Sequence, residues 1–343
     1  MSPPLRVLTA EPEPIPGPPA GHRPRFSVMV PTCNPDEKFI ATLESVLHQD
    51  PGPEGMQIAV VDDASDRGHV AAVVERIDPT GRIEVFEHGR RLGLSGNWNR
   101  AIALARGHLV HLLHQDDLVS PGFYARMDHG FRSSSGVGMA FCRSRIVDVD
   151  GRVLKTSSRQ RWFAGVLDGW LPTIAERQRI QTPAAIVARS TYEKLGGYRG
   201  DLCHALDWEM WVRIAAHCPV WYEPRPLATY RRHDANETSR LVASGEVWPD
   251  MARAIRINAA SLPPHLRSHA IETSVRWHAA SALRTAKRQL AAGATAAAAD
   301  TLRSLTDLFD VLDGEPPTMT ATRQLAAIRS RIGAQGRWQP AVA

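Results

Sequence analysis

The 343-residue sequence predicts an α/β fold, a mostly parallel central sheet flanked by helices, followed by a C-terminal helical region. Three observations carry the prediction. From about 26 to 150, short β-rich runs alternate with helical patterns. Those runs are almost continuously apolar, as strands buried on both faces of a parallel sheet must be. Three of them also end in polar residues, "PTCNP", "DDAS" and "HQDD", at the carboxyl ends where open α/β sheets hold their ligands.

The elements follow in order. "FSVMV" (26–30) reads as the first strand, and Asn34-Pro35-Asp36 opens a helix over 36–48. "QIAVV" (57–61) is the second strand, followed by a helix at 67–76 and a third strand, "IEVF" (83–86). Ala101, Ile102, Leu104 and Ala105 recur at helical spacing after Asn97, and Gly107 reads as the stop. "LVHLL" (109–113) is the fourth strand, and Pro121 belongs in the first turn of the helix behind it. From 137 to 240 the pattern is mixed. "GMAFC", "TPAAIVA" and "LATYRR" read as strands, "RIVDVDGRVLK" as a hairpin turning at Asp150-Gly151, and "STYEKLGG" and "DWEMWVRIAAH" as helices. Beyond 240 the chain is Ala- and Arg-rich and helical, broken by "DGEPPT" (313–318) before a last helix at 319–333.

The expected organisation is therefore a Pro-rich tail (1–24) outside the fold, an α/β domain (25–240) and a helical region (241–343). The domain divides into two halves, 25–120 and 121–240. Hydrophobic residues make up 43% and charged residues 22%, the balance of a globular chain with a full core. No run approaches the roughly 18 apolar residues of a membrane span, and the proline-broken N-terminus is unlike a signal peptide. Four cysteines without a CxxC pair read as reduced thiols, which points to the cytoplasm. Cys203-His204 and His217-Cys218 fit no familiar zinc spacing. The net charge of +5 sits in residues 240–343, with thirteen Lys/Arg against eight Asp/Glu. That segment is either a solvated Arg face, an oligomer contact or a surface for an anionic membrane or acceptor. Nucleic acid is not an expected partner, since no basic stripe is interleaved with aromatics.

Two acidic pairs carry the chemistry. At Asp62-Asp63, one carboxylate or Ser65 suffices to cap the following helix, and the other is free to accept the imide N–H of a uracil or thymine. Asp116-Asp117 either close a polar turn or hold Mg²⁺ or Mn²⁺, ions that take one or two carboxylates plus substrate phosphates. "RLGLSGNWN" lacks the third glycine of a dinucleotide turn and there is no P-loop, so phosphate handling falls to a metal. Asp207 begins the helix in "DWEMWVRIAAH" as a cap or as a general base; Glu209, two residues on, faces elsewhere.

Together "SVMVPTCNP", "VVDDAS", "RLGLSGNWNRAIALARGHLVHLLHQDD", "DWEMWVRIA" and "YRRHDANET" resemble the inverting glycosyltransferases of family 2, with the Rossmann-like GT-A fold, over about 26–239. The resemblance implies that Pro31, Thr32 and Cys33 line the nucleotide pocket with Asp62 and Asp63, and that Asn99 and Gln115 belong to the same donor site. It implies metal binding by Asp116, Asp117 and His233, and deprotonation of an acceptor hydroxyl by Asp207. The donor would be a UDP- or dTDP-sugar on a nucleotide-binding half (25–120), and the acceptor a glycan, a lipid or a secondary metabolite on an acceptor-binding half (121–240). "RQRWFAGVLDGWLPT" (159–173) would face that acceptor. Two positions depart from the pattern: Cys33 replaces a common aromatic, and His114 replaces the first acid of the Asp-x-Asp motif. A non-catalytic sugar-nucleotide-binding protein and a nucleotidyltransferase are the alternatives on this architecture; the second needs a basic Gly-rich loop that "PTCNPDEK" does not supply.

Overall fold

The computed structural model describes residues 11–66, 70–232, 241–242 and 244–312. Of these, 11–170 and 179–232 form one compact unit, and 171–178 and 241–312 form the other.

The first unit is a mixed α/β layer built on a ten-stranded sheet. In chain order the strands are β1 (Phe26–Thr32), β2 (Met56–Asp62), β3 (Ile83–Glu87), β4 (Leu109–Leu112), β5 (Leu118–Val119), β6 (Met139–Val147), β7 (Val153–Thr156), β8 (Gly165–Val166), β9 (Ala185–Ala188) and β10 (Val220–Arg231). Their order across the sheet is β3-β2-β1-β4-β9-β6-β10-β5, with β7 on β6 and β8 on β10. The strands β1 to β4, β6 and β10 run one way; β5, β7, β8 and β9 run the other. The mostly parallel character is thus complete in the first half, and antiparallel pairing begins at β9.

Helices α1 (Lys38–Leu47), α2 (Val70–Ile77) and α3 (Gly93–Leu104) connect the parallel strands. On α1, Phe39, Thr42, Leu43 and Val46 are buried. They recur at the i, i+3, i+4 and i+7 spacing of one helical face. Phe39, Leu43 and Val46 join β1 and β2 in the main core, each stabilising by roughly 1.5–3 kcal/mol. Gly107 does not end α3, whose last residue is Leu104. A Cβ there would lie 2.5 Å from the Phe26 carbonyl carbon, so this glycine is needed for the chain to cross β1. The helices α4 (Phe123–Ser133), α6 (Arg189–Leu195) and α7 (Leu206–His217) accompany the second half, whereas α5 (Trp170–Glu176), after its first residue, belongs to the other unit. Pro121 precedes α4, outside its first turn.

Three expectations change. The hairpin does turn at Gly151 (φ +81°), but β10 is longer than "LATYRR", absorbing Pro224 and Pro226 through register shifts at Glu223/Pro226 and Pro226/Ala228. Residues 171–178 belong with the C-terminal helices, not with the sheet unit. Residues 12–24, expected to lie outside the fold, are held to it. Gly197 N donates to Glu13 O (2.8 Å), the buried Arg189 donates to Pro16 O (2.8 Å), and His108 N donates to Pro24 O (3.1 Å). Ile15 is buried.

The second unit contains α8 (Val247–Ala260), α9 (Pro264–Ala291), α10 (Thr295–Arg303) and α11 (Leu305–Phe309). The 28-residue α9 packs against α8 and α10, burying Val275, Ala279, Ala282, Leu283 and Ala286. The helix expected at 319–333 lies outside the described residues. No helix among the described residues is long and apolar enough to cross a membrane.

Candidate active site

The carboxyl ends of β1, β2 and β3 are fastened to one another. Thr32 O accepts from Asp63 N (2.8 Å), and Asp62 O accepts from His88 N (3.0 Å). Asn97, from α3, donates its amide to Val61 O (3.1 Å). The described non-glycine residues with positive φ are Asn34 (48°) and Ala64 (51°), one in each of the loops that leave β1 and β2. Such backbone strain concentrates where a site is being shaped.

Both carboxylates of the first acidic pair have structural work. Asp62 accepts from Ser65, through its backbone N–H and its hydroxyl. Asp63 accepts from Leu92 N (2.6 Å) and Gly93 N (2.9 Å), so it caps α3 rather than the helix that follows it in sequence. Pro31 and Thr32 are buried at the end of β1, and the Thr32 hydroxyl points back to Val30 O. Cys33 is half-buried, and burial pushes its thiol above the usual range.

Gln115 lies between these loops and the second acidic pair. Its side-chain amide accepts from Cys33 N (2.8 Å) and donates to Cys33 O (3.2 Å). Its carbonyl accepts from the Thr42 hydroxyl (3.0 Å). Gln115 therefore clamps the β1 exit loop onto the "HQDD" turn.

Within that turn Asp117 N donates to His114 O (3.2 Å). Asp117 is fully buried; Oδ1 accepts from Arg231 N (2.9 Å), and Oδ2 stands 3.3 Å from His114 Nδ1. Arg231 also donates from Nε to Asp116 O (3.2 Å), tying the turn to the end of β10. The His114 ring stacks on Trp98 at 5.0 Å between centroids and 26° between planes. Trp98 meets Tyr198 edge-on at 4.9 Å. Asn99 fixes Tyr198 in turn, accepting from Tyr198 N (2.6 Å) and donating to Tyr198 O (2.8 Å) and Glu13 (3.1 Å). With its amide engaged on both atoms, Asn99 positions the ring stack.

One ligand atom from each of His114, Asp116 and Asp117 lies within 4.8 Å of the others, the group among the described residues suited to a metal ion. Asp117 Oδ2 and His114 Nε2 are buried without a hydrogen-bond partner. Burial, then the neighbouring charge of Asp116, raises the carboxyl of Asp117 above its ordinary range. Burial opposes a charged His114, but Asp117, Asp116 and Asp207 together hold its imidazole above the ordinary value. A cation would relieve both the buried carboxylate and its like-charged neighbour, so the donor set fits a divalent ion. His114, noted in the sequence only for replacing an acid, thus joins the group that could hold a metal ion; His233 lies outside the described residues.

Asp207 is the second residue of α7 and half-buried. It accepts from Trp208 N (2.7 Å) and from the Thr182 hydroxyl (3.3 Å). Thr182 and Arg231 escaped sequence reasoning, because nothing in "QTPAA" or "YRRH" marks a partner so far away in the chain. Glu209 does face elsewhere: it is buried and paired with Arg213, which also donates to the carbonyls of Leu195, Gly196 and Gly197. The four cysteines are free, and no metal group among the described residues includes one.

Residues 27–162 match the model of glycosyl transferase family 2. The uncharacterized protein MT1568 of Mycobacterium tuberculosis (strain CDC 1551 / Oshkosh) is 30% identical over 233 residues, which cover 65% of this chain and 72% of that protein. Among solved structures, residues 1–349 of S. aureus TarS in complex with UDP-GlcNAc superpose with a TM-score of 0.62 at 14% identity, covering 90% of this chain and 88% of that one. The mannosyltransferase PcManGT from Pyrobaculum calidifontis, in complex with GDP-Man and Mn²⁺, gives 0.52 at 20% identity, covering 97% and 91%. With the sheet order, the clamped strand ends and the His114–Asp116–Asp117 group in view, the chain belongs to glycosyl transferase family 2 and has the GT-A fold.

Proposed function

We propose that the protein is a metal-dependent inverting glycosyltransferase that moves a sugar from a UDP- or dTDP-sugar to an acceptor hydroxyl. The observation that carries this reading is the His114–Asp116–Asp117 group, with Asp207 near enough for its charge to reach the His114 imidazole. Metal and base would then act in one crevice. TarS and PcManGT bind nucleotide sugars, the second with Mn²⁺, which supports the donor class.

His114, Asp116 and Asp117 would hold Mg²⁺ or Mn²⁺, which when bound neutralises charge on the departing diphosphate. Asp207 would accept the proton of the acceptor hydroxyl as its oxygen attacks the sugar C1. The C1–O bond to the diphosphate breaks on the opposite side, and configuration inverts. Thr182 and Trp208 N hold the Asp207 carboxylate in place. Cys33 and Gln115 shape the nucleotide side of the crevice, with Pro31, Thr32, Asp62 and Asp63 supporting the loops rather than reaching into it.

The test is donor consumption by purified protein across a panel of nucleotide sugars with Mn²⁺ or Mg²⁺, alongside Asp116→Asn. Donor turnover that needs the ion and falls at least about 100-fold in the variant is expected. Near-normal metal-dependent turnover by the variant, or nucleotide binding with no donor consumed, would sink the reading.

A further inference from the structure

Among the described residues seven large apolar side chains are exposed, and five of them, Val149, Val153, Leu154, Trp162 and Phe163, fall between 149 and 163. Trp162 and Phe163 are 74% and 78% exposed. The same stretch is basic on balance: residues 149–163 carry Arg152, Lys155, Arg159 and Arg161 against one carboxylate, Asp150, which pairs with Arg152 at 3.4 Å.

This is a fixed display. Arg161 donates to the carbonyls of Phe163 (3.0 Å), Ala164 (3.0 Å) and Val166 (2.9 Å), closing a turn with both rings at its tip. Gly165, at φ +150° and under that guanidinium, leaves no room for a Cβ. The Arg159 guanidinium lies 4.2 Å from the centroid of Trp162. All four residues of β7 are exposed, with Val153 and Leu154 among them. The hairpin turn is anchored beside the candidate active site, because Arg231 donates both to Asp116 O and to Val149 O. Trp170, by contrast, is buried and stacks on Phe141 at 5.5 Å, so the aromatics of 159–173 do not act as one acceptor wall.

Rings held open to water on a locked turn forgo the stabilisation that burial would bring, and a patch of this kind marks a surface with a partner. The cations select the partner's charge. Indole and phenyl rings settle at the boundary between headgroups and acyl chains, and Lys and Arg around them are drawn to an anionic leaflet. We infer that residues 149–163 dock the protein on an anionic phospholipid surface. Trp162 and Phe163 enter the interface, and Lys155 and Arg159 face the headgroups. This surface stands independently of the transfer chemistry proposed above.

The experiment is co-sedimentation of the full chain with vesicles of phosphatidylcholine alone or mixed with phosphatidylglycerol. Wild type is compared with a Trp162→Ser, Phe163→Ser double variant and with Lys155→Glu. Binding to the anionic vesicles is expected, about tenfold or more stronger than to neutral ones, weakened by salt, and about tenfold or more weaker in the double variant. These side chains are exposed, so unchanged urea unfolding midpoints will show that the variants are folded. Binding to neither vesicle, or undiminished binding by the double variant, would overturn the inference. So would self-association of the wild type that the double variant abolishes, which would assign the patch to a second copy of the chain.

Discussion

His111 sits on β4 beneath the candidate site, fully buried, and its ring is saturated. Nε2 lies 3.0 Å from Pro183 O, an atom that only accepts, so Nε2 carries the proton. Nδ1 then accepts from the Tyr124 hydroxyl at 3.2 Å. Phe123 and Tyr124 close around the ring. Burial, with His114 adding to it, lowers the imidazole from 6.5 to about 4, against the opposing bond to Pro183. A histidine whose folded value lies below its unfolded one contributes stability that is whole above pH 6.5 and is lost as pH falls from there toward 4. A depression of about 2.5 units corresponds to about 3 kcal/mol at 1.36 kcal/mol per unit. That is a large share of an ordinary domain's stability. Urea unfolding of wild type and His111→Gln, followed from about pH 7.5 down to about pH 4.5, isolates this contribution. Subtracting the two pH profiles removes the other titrating groups. Wild type should lose about 2–3 kcal/mol more than the variant across that range. Parallel profiles would refute the buried neutral ring.

Three further outcomes follow from the geometry. Asp207→Asn should lower kcat by about 10²–10⁴ while leaving KM for the donor near its original value; steady-state kinetics showing a selective loss of donor affinity would move Asp207 to the nucleotide side. Gly107→Ala should cost about 2 kcal/mol or more, because its methyl group meets the Phe26 backbone and not a yielding side chain; an unchanged urea midpoint would disprove that close crossing. Removing residues 1–23 should lower the unfolding midpoint by an amount worth about 2–4 kcal/mol, since the buried Arg189 loses Pro16 O and Gly197 N loses Glu13 O. An unaltered midpoint would return this segment to the status of a tail.

The sheet half of the fold was readable because its signals are local. Continuous apolar runs such as "QIAVV" become strands wherever both faces are covered, and Phe39, Leu43 and Val46 mark the inward side of α1 by spacing alone. The segment 12–24 was not readable, since it has no periodicity and is held by its backbone: carbonyls of Glu13, Pro16 and Pro24 serve donors more than 80 positions away. Residues 171–178 likewise follow the C-terminal helices, and β10 runs through two prolines by shifting register, both choices made by distant partners.

The division is sharpest at the acidic pairs. Residue order alone determined that carboxylates stand at the ends of β2 and β4, because each strand carries its own acid to the sheet's ligand-facing edge. What each carboxylate does was decided only by the tertiary structure. Asp63 is spent on the N-terminus of α3, 29 residues on, whereas Asp117 is buried with one oxygen on Arg231 N and the other 3.3 Å from His114 Nδ1. A carboxylate's role follows from which donors and charges surround it, and those arrive from other strands, so two "DD" pairs that look alike in sequence become a helix cap and a group with the donor atoms a metal ion needs.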